Sequence, residues 1–122
     1  MTDCNTKLKF VFNKNKRIEG DFSGGDLSSD GGLLLLRELD NGLSFTEKFS
    51  AKILDPRSSD KIKHSQSLLI RQRIYQICAG YEDANDSDSL RHDPVMKMSC
   101  HEDAESLLEL GSQPTITRLE NR

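Results

Sequence analysis

Hydrophobic positions alternate near the start of the chain and then shift to a helical spacing. Over residues 7–22, Leu8, Phe10 and Phe12 alternate with Lys9 and Val11, a polar turn Asn13-Lys14-Asn15-Lys16 follows, and Ile18 and Phe22 bound a second short stretch. With Ile18 to Phe22 (IEGDF) read as a second short strand, this pattern predicts a two-stranded β-hairpin, which is marginal alone and needs a surface to pack on. Residues 23–32 hold four Gly, three Ser and two Asp. They predict a loop that ends at a helix start, with Ser28, Ser29 or Asp30 as N-cap. The helix then runs to about Leu43, with Leu35, Leu36, Leu39 and Leu43 on its apolar face and Leu33 at the margin. Ser44 or Thr46 starts a second short helix through Ile53, with Phe45, Phe49 and Ile53 on one stripe. Asp55-Pro56 stops it, because a residue before proline disfavours the helical region.

The third helix is the most apolar. Ser65 caps it, and Ile70, Ile74, Ile77 and Cys78 fall at i, i+4, i+7 and i+8. Leu68, Tyr75 and Leu69 add further apolar sides, which predicts a central helix with the isoleucine stripe at the centre of the core. Gly80 is placed as its C-cap. Asn85, Asp86 and Ser87 read as caps before Leu90, and Pro94 opens a short helix, VMKMSC. Residues 103–111 read as another helix closed by Gly111. Ser112 followed by Pro114 starts a last one, whose stripe of Ile116 and Leu119 runs on to Arg122 without Gly or Pro. The chain therefore reads as truncated.

Composition narrows the class. The chain has 122 residues, 34% of them hydrophobic and 30% charged, which fits one small domain with a lean core. Sixteen Leu in clusters argue against disorder. The longest aliphatic run is Leu33–Leu36, too short to span a membrane, and the N-terminus carries no signal-peptide pattern. Three widely spaced cysteines, Cys4, Cys78 and Cys100, form no disulfide framework and fit a reducing cytoplasm. The net charge of −3 argues against a nucleic-acid binder taken whole. Its distribution changes the picture: residues 57–78 carry +4, between blocks of −5 over residues 18–56 and −7 over residues 79–110. Such blocks are solvated helix faces or, at residues 57–73, a basic surface for phosphates.

Few motifs carry chemistry. SGGDLSSDGG lacks the lysine and spacing of a phosphate-binding loop, and Arg37 stands where a calcium loop needs a glutamate. Glu82, Asp83, Asp86, Asp88 and Asp93, with His92, are a conceivable hard-cation set, but such residues also serve as turn formers and caps. His92, Cys100 and His101 lack the paired spacing of a zinc site. No metal ligand and no catalytic residue is assigned. LELGSQPTITRLEN resembles the back half of a helix-turn-helix one residue short at the turn, which would put Thr115, Thr117 and Arg118 near DNA. The densest positive set is Lys61, Lys63, Arg71 and Arg73, with Arg118 and Arg122 on the last helix; these six are the candidate DNA contacts.

Several ordered blocks carry a resemblance. Phe22 to Leu39 (FSGGDLSSDGGLLLLREL), Asp55-Pro56-Arg57, His64-Ser65, Gly80 to Asp86 (GYEDAND), Leu90 to Pro94 (LRHDP), Ser112 to Thr115 (SQPT) and Arg118 to Arg122 (RLENR) resemble bacterial insertion-sequence transposases of the DDE type, group 1. The resemblance implies a protein that cuts and rejoins DNA at the ends of a mobile element. It implies three carboxylates on an RNase H-like fold that hold Mg²⁺ in the full-length family. Those carboxylates lie downstream of the RLENR block, so none is carried over, and no cofactor is assigned to this chain.

The expected architecture is mainly α. A hairpin arm over residues 1–22 precedes a small helical bundle over residues 23–122, incomplete at its C-terminus and truncated before an RNase H-like core. The expected role is support of DNA-end binding without catalytic carboxylates, in a cytoplasmic protein with element-end DNA as partner, possible self-association and no membrane. The alternative is a stand-alone helical protein–protein interaction module.

Overall fold

The alternating segment forms an antiparallel hairpin, β1 (Leu8–Phe10) with β2 (Ile18–Gly20), in the register Leu8↔Gly20, Lys9↔Glu19, Phe10↔Ile18. The turn is set by Asn13, whose Oδ1 accepts from the amides of Asn15 at 2.8 Å and Lys16 at 3.0 Å, a local bond asparagine makes readily. Phe10 and Phe12 are buried and meet edge-on at 6.4 Å. The structure, a computed structural model, describes residues 7–21, 29–103 and 108–122.

Six α-helices follow among the described residues: α1 (Leu33–Leu43), α2 (Phe45–Ala51), α3 (Gln66–Cys78), α4 (Ser87–Leu90), α5 (Pro94–Cys100) and α6 (Gln113–Glu120). The chain is thus mainly helical with a short hairpin in front, as its pattern predicts. The hairpin packs on α1: the Val11 amide donates to Glu38 Oε2 at 2.9 Å, and the Arg37 guanidinium lies over the Phe12 ring at 5.6 Å.

The ends follow local chemistry. Ser65 caps α3 by accepting from the Leu68 amide, and Asp93 caps α5 by accepting from the Met96 amide, with Pro94 in the first turn. Gly80 adopts a φ of 94°. It lets Tyr81 N donate to Gln76 O at 2.9 Å and Gly80 N to Ile77 O at 3.0 Å, the paired bonds that close a helix through a left-handed glycine. The start of α1 differs from expectation. Gly32 fills the N-cap position without a side-chain bond, while Asp30 accepts from the Tyr81 hydroxyl at 3.0 Å; Ser28 lies outside the described residues. For α2 the capping group comes from the preceding helix, because the Asp40 carboxylate takes the Thr46 amide at 2.9 Å.

The core is not centred on the expected stripe. Leu69, Gln72 and Gln76 are fully buried and Tyr75 nearly so, whereas Ile74 is half-buried, Ile77 is 51% exposed and Cys78 is exposed. Tyr75 joins Leu33, Leu90, Met96, Cys100 and Leu110 in the central cluster. On α1 the buried positions are Leu33, Arg37 and Asp40, while Leu35, Leu39 and Leu43 face outward. Phe45, Phe49 and Ile53 are also exposed. On α1 and α3 interior positions go instead to polar groups that hydrogen-bond there, Asp40 to Thr46 and Gln72 to Gly111.

The helix expected over residues 103–111 is absent where it is described: residues 108–111 are not helical, and residues 104–107 lie outside the described residues. Leu110 is fully buried, and its amide donates to Arg91 O at 3.1 Å. The Gln72 side chain then clasps the backbone of Gly111, accepting from its amide at 2.8 Å and donating to its carbonyl at 2.9 Å. This pairing holds Gly111 against α3 just before α6 begins.

Candidate nucleic-acid interface

Between the loop before α3, the end of α4 and α6 lies a cavity of about 410 Å³. Six cations line it: Arg57, Lys61, Lys63, Arg91, Arg118 and Arg122. His64, Ser112, Thr115 and Leu110 complete the wall, and among the described residues no acidic one lines it.

Asp55-Pro56-Arg57 organises the loop. Arg57 forks onto Asp55, with Nε to Oδ1 at 2.8 Å and Nη2 to Oδ2 at 2.6 Å, and its Nη1 donates to His64 O at 2.9 Å. The loop is closed on itself and carries Lys61 and Lys63 outward. Hydrogen bonds from Arg57 hold the Asp55 carboxyl down to about 2. Across the cavity Thr115, Arg118 and Arg122 follow at i, i+3 and i+7 along α6 and just past its end, one side of a helix. The Ser112 and Thr115 hydroxyl oxygens are 3.1 Å apart at its start. Arg122 Nη1 reaches Asp55 at 3.4 Å and Gln66 at 3.3 Å. Arg91 pairs with Glu109, whose carboxyl is lowered first by that hydrogen bond. Lys61, Lys63 and Arg118 have no contact-distance partner among the described residues for their charged heads. Burial and then the charges of Lys63, His101, Arg91 and Arg57 hold the His64 imidazole below its ordinary value.

Four of the six expected contacts therefore converge: Lys61, Lys63, Arg118 and Arg122 line one cavity. Arg71 does not. It is 5% exposed and donates to Thr46 Oγ1 at 3.1 Å, Cys100 O at 2.9 Å and Glu102 at 2.8 Å, with Asp40 at 3.7 Å. Its guanidinium is built into the interior and offers nothing to a phosphate. Arg73 bonds Glu120 and donates to Glu82 O at 2.7 Å. It borders a second, mainly apolar groove of about 250 Å³ with Phe49, Ile53, Ile70, Ile74 and Leu119.

Arg57, His64 and Arg91 belong to the cavity and were not among the expected contacts. The signal lay in the DPR, HS and LRHDP blocks, but the residues are far apart in sequence and meet only through packing. The helix-turn-helix expectation also changes. Residues 108–111 are not helical, so among the described residues no helix leads into α6 through a tight turn. Thr115 and Arg118 face the cavity, while the Thr117 hydroxyl accepts from Gln113 Nε2 at 3.0 Å. Three of the five acidic residues serve structure: Asp83 takes the Asn85 amide, Asp88 the Gln113 amide and Asp93 the Met96 amide. Among the described residues no three His, Cys, Asp or Glu gather as a metal site, and no helix is long and apolar enough to cross a membrane.

The family model described as transposase DDE domain group 1 matches residues 10–122. No curated protein and no solved structure matches the chain.

Proposed function

The chain belongs to the transposase DDE domain group 1 family, and from that premise we propose that its basic cavity grips the phosphates of element-end DNA while the described residues take no part in cutting it. The convergence of Arg57, Lys61, Lys63, Arg91, Arg118 and Arg122 on one concave surface carries the proposal. In a chain of net charge −3, attraction to DNA has to come from such a local field rather than from the molecule as a whole. Lys61, Lys63 and Arg118 are the first contacts, since no ion pair has to be broken to use them. Arg57, Arg91 and Arg122 set the shape of the wall and exchange a carboxylate for a phosphate. These contacts position the strand and carry no base information.

The family's Mg²⁺ chemistry needs several carboxylates on one point. The described residues bring no such set together, so no step of strand cleavage is routed through them.

The test is fluorescence anisotropy of a duplex bearing the element end at about 50 mM salt. Lys61→Glu, Lys63→Glu and Arg118→Glu combined is expected to abolish binding, while Lys52→Glu, outside the cavity, leaves it intact. Equal binding by the triple variant, or none by the unmodified chain, would overturn the proposal. The apolar groove beside Phe49 and Ile74 favours a second reading, a helical protein–protein interaction module. Its binding would resist salt and fall with Phe49→Lys.

A further inference from the structure

His64 sits in the cavity wall among cations from several elements. Its own loop supplies Lys61 and Lys63, and the loop behind it supplies Arg57, which pins the His64 carbonyl at 2.9 Å. Arg91 comes from the end of α4 and His101 from the end of α5. Arg118 and Arg122 face it across the cavity from α6. The nearby carboxylates are occupied, Asp55 on Arg57 and Glu109 on Arg91. Among the described residues the half-buried imidazole has no counter-ion, and a proton on it would add one more like charge to a concentrated positive field.

We infer that His64 is a proton-linked contact of the phosphate cavity: it is neutral when the cavity is empty, and takes a proton from solvent when a phosphate group enters. This rests on the phosphate-binding function proposed above and adds the regulation of that site. The incoming charge removes the repulsion that keeps the ring neutral, and the imidazolium then donates an N–H to the phosphate oxygen. The empty-state direction agrees, since burial and the neighbouring cations both lower the imidazole.

The sign is fixed by linkage. A group whose pKa rises on binding strengthens the complex as pH falls through the bound-state value, and adds nothing well above it. Affinity for DNA should therefore increase several-fold from about pH 8 to about pH 5.5 and approach about tenfold only as pH falls below the free-state value, for a ring that rises by about one pH unit on binding.

The probe is a duplex oligonucleotide without terminal phosphates, because its diesters do not titrate in this range whereas a phosphomonoester does. Calorimetric titration near pH 6.5 in two buffers of different ionisation enthalpy gives the protons taken up per complex. Uptake is expected with the unmodified chain and with His92→Gln, which changes an exposed histidine outside the cavity wall. It is expected to vanish with His64→Gln, which also flattens the pH profile. Should that variant fail to fold, the unmodified chain still decides: the His64 ring signals in NMR should titrate below the ordinary range alone and move upward in the complex. Binding without proton uptake, uptake that persists in His64→Gln, or an unmoved ring titration overturns the inference alone. Absence of binding at every pH overturns the proposed phosphate function and this inference with it.

Discussion

Asp40 accepts three hydrogen bonds inside the fold, from the Thr46 amide at 2.9 Å, the Thr46 hydroxyl at 2.6 Å and the Tyr75 hydroxyl at 2.6 Å, with Arg71 at 3.7 Å. Burial works to raise its carboxyl, but the bonds from Thr46 and Tyr75 and the Arg71 charge outweigh it, and the group is held below the ordinary carboxylate value. Its contribution to stability is thus present above about 3.8 and is lost as pH falls through the lower native value. Asp40→Ala should cost about 1–3 kcal/mol at neutral pH, because the Thr46 amide and the Thr46 and Tyr75 hydroxyls lose their buried acceptor, while Arg71 keeps Glu102. Urea unfolding followed from neutral to acidic pH should show the variant with a shallower acid limb than the unmodified chain. An unchanged limb would mean that Asp40 does not carry this linkage. The same arginine shows why the candidate site was only partly legible. Arg71 and Lys63 look alike in sequence as basic residues of one block, and only the packing of α1, α3 and the end of α5 around Arg71 separates an interior cation from a surface one.

Among the elements, α3 shows most clearly what a pattern of residue types conveys. Its start, end and length are legible because Ser65 and Gly80 act through local backbone bonds. Its orientation is not, because the isoleucine stripe competes with a face that buries Gln72 and Gln76. A glutamine counts as polar in any pattern, yet Gln72 is fully buried once Gly111 satisfies both ends of its amide. The non-helical run before α6 was illegible for the same reason: Leu108 to Gly111 has helical composition, and a tertiary clasp overrides it. The consequence is measurable. Leu69→Ala, at a fully buried position, should cost about 2–5 kcal/mol, and Ile77→Ala, half exposed, less than about 1 kcal/mol. Reversal of that order in chemical denaturation would mean α3 is rotated. At Gly111 an added Cβ would lie 2.6 Å from Leu69 Cδ2 and 3.1 Å from Gln72 Oε1. Gly111→Ala should therefore destabilise by about 1–3 kcal/mol through overpacking, seen as a lower denaturation midpoint.

At the scale of the whole molecule, charge is segregated rather than balanced. A cavity walled by six cations is carried on a chain whose sum is −3. On the proposed function, attraction to DNA would act at short range, with the acidic blocks repelling the duplex elsewhere. The plot of log affinity against log salt should have a slope of about −3 to −5, from the three unpaired cations up to nearly all six in the wall. A slope near zero would place the binding energy on the apolar groove instead. The two surfaces share Arg122 at their rims, so an occupant of one groove lies against the edge of the other.

The two tyrosines have an optical consequence. The chain contains no tryptophan, so its ultraviolet emission comes from Tyr75 and Tyr81 alone. Each hydroxyl donates to a carboxylate, Tyr75 to Asp40 at 2.6 Å and Tyr81 to Asp30 at 3.0 Å, and a carboxylate that accepts the phenolic proton quenches the excited ring. Tyrosine emission from the folded protein should be nearly quenched. Emission should rise as the chain unfolds and both phenols exchange a carboxylate for water. The fold would then report its own loss without a dye, through the same two bonds that tie α3 and the segment after it back to the start of the helical region.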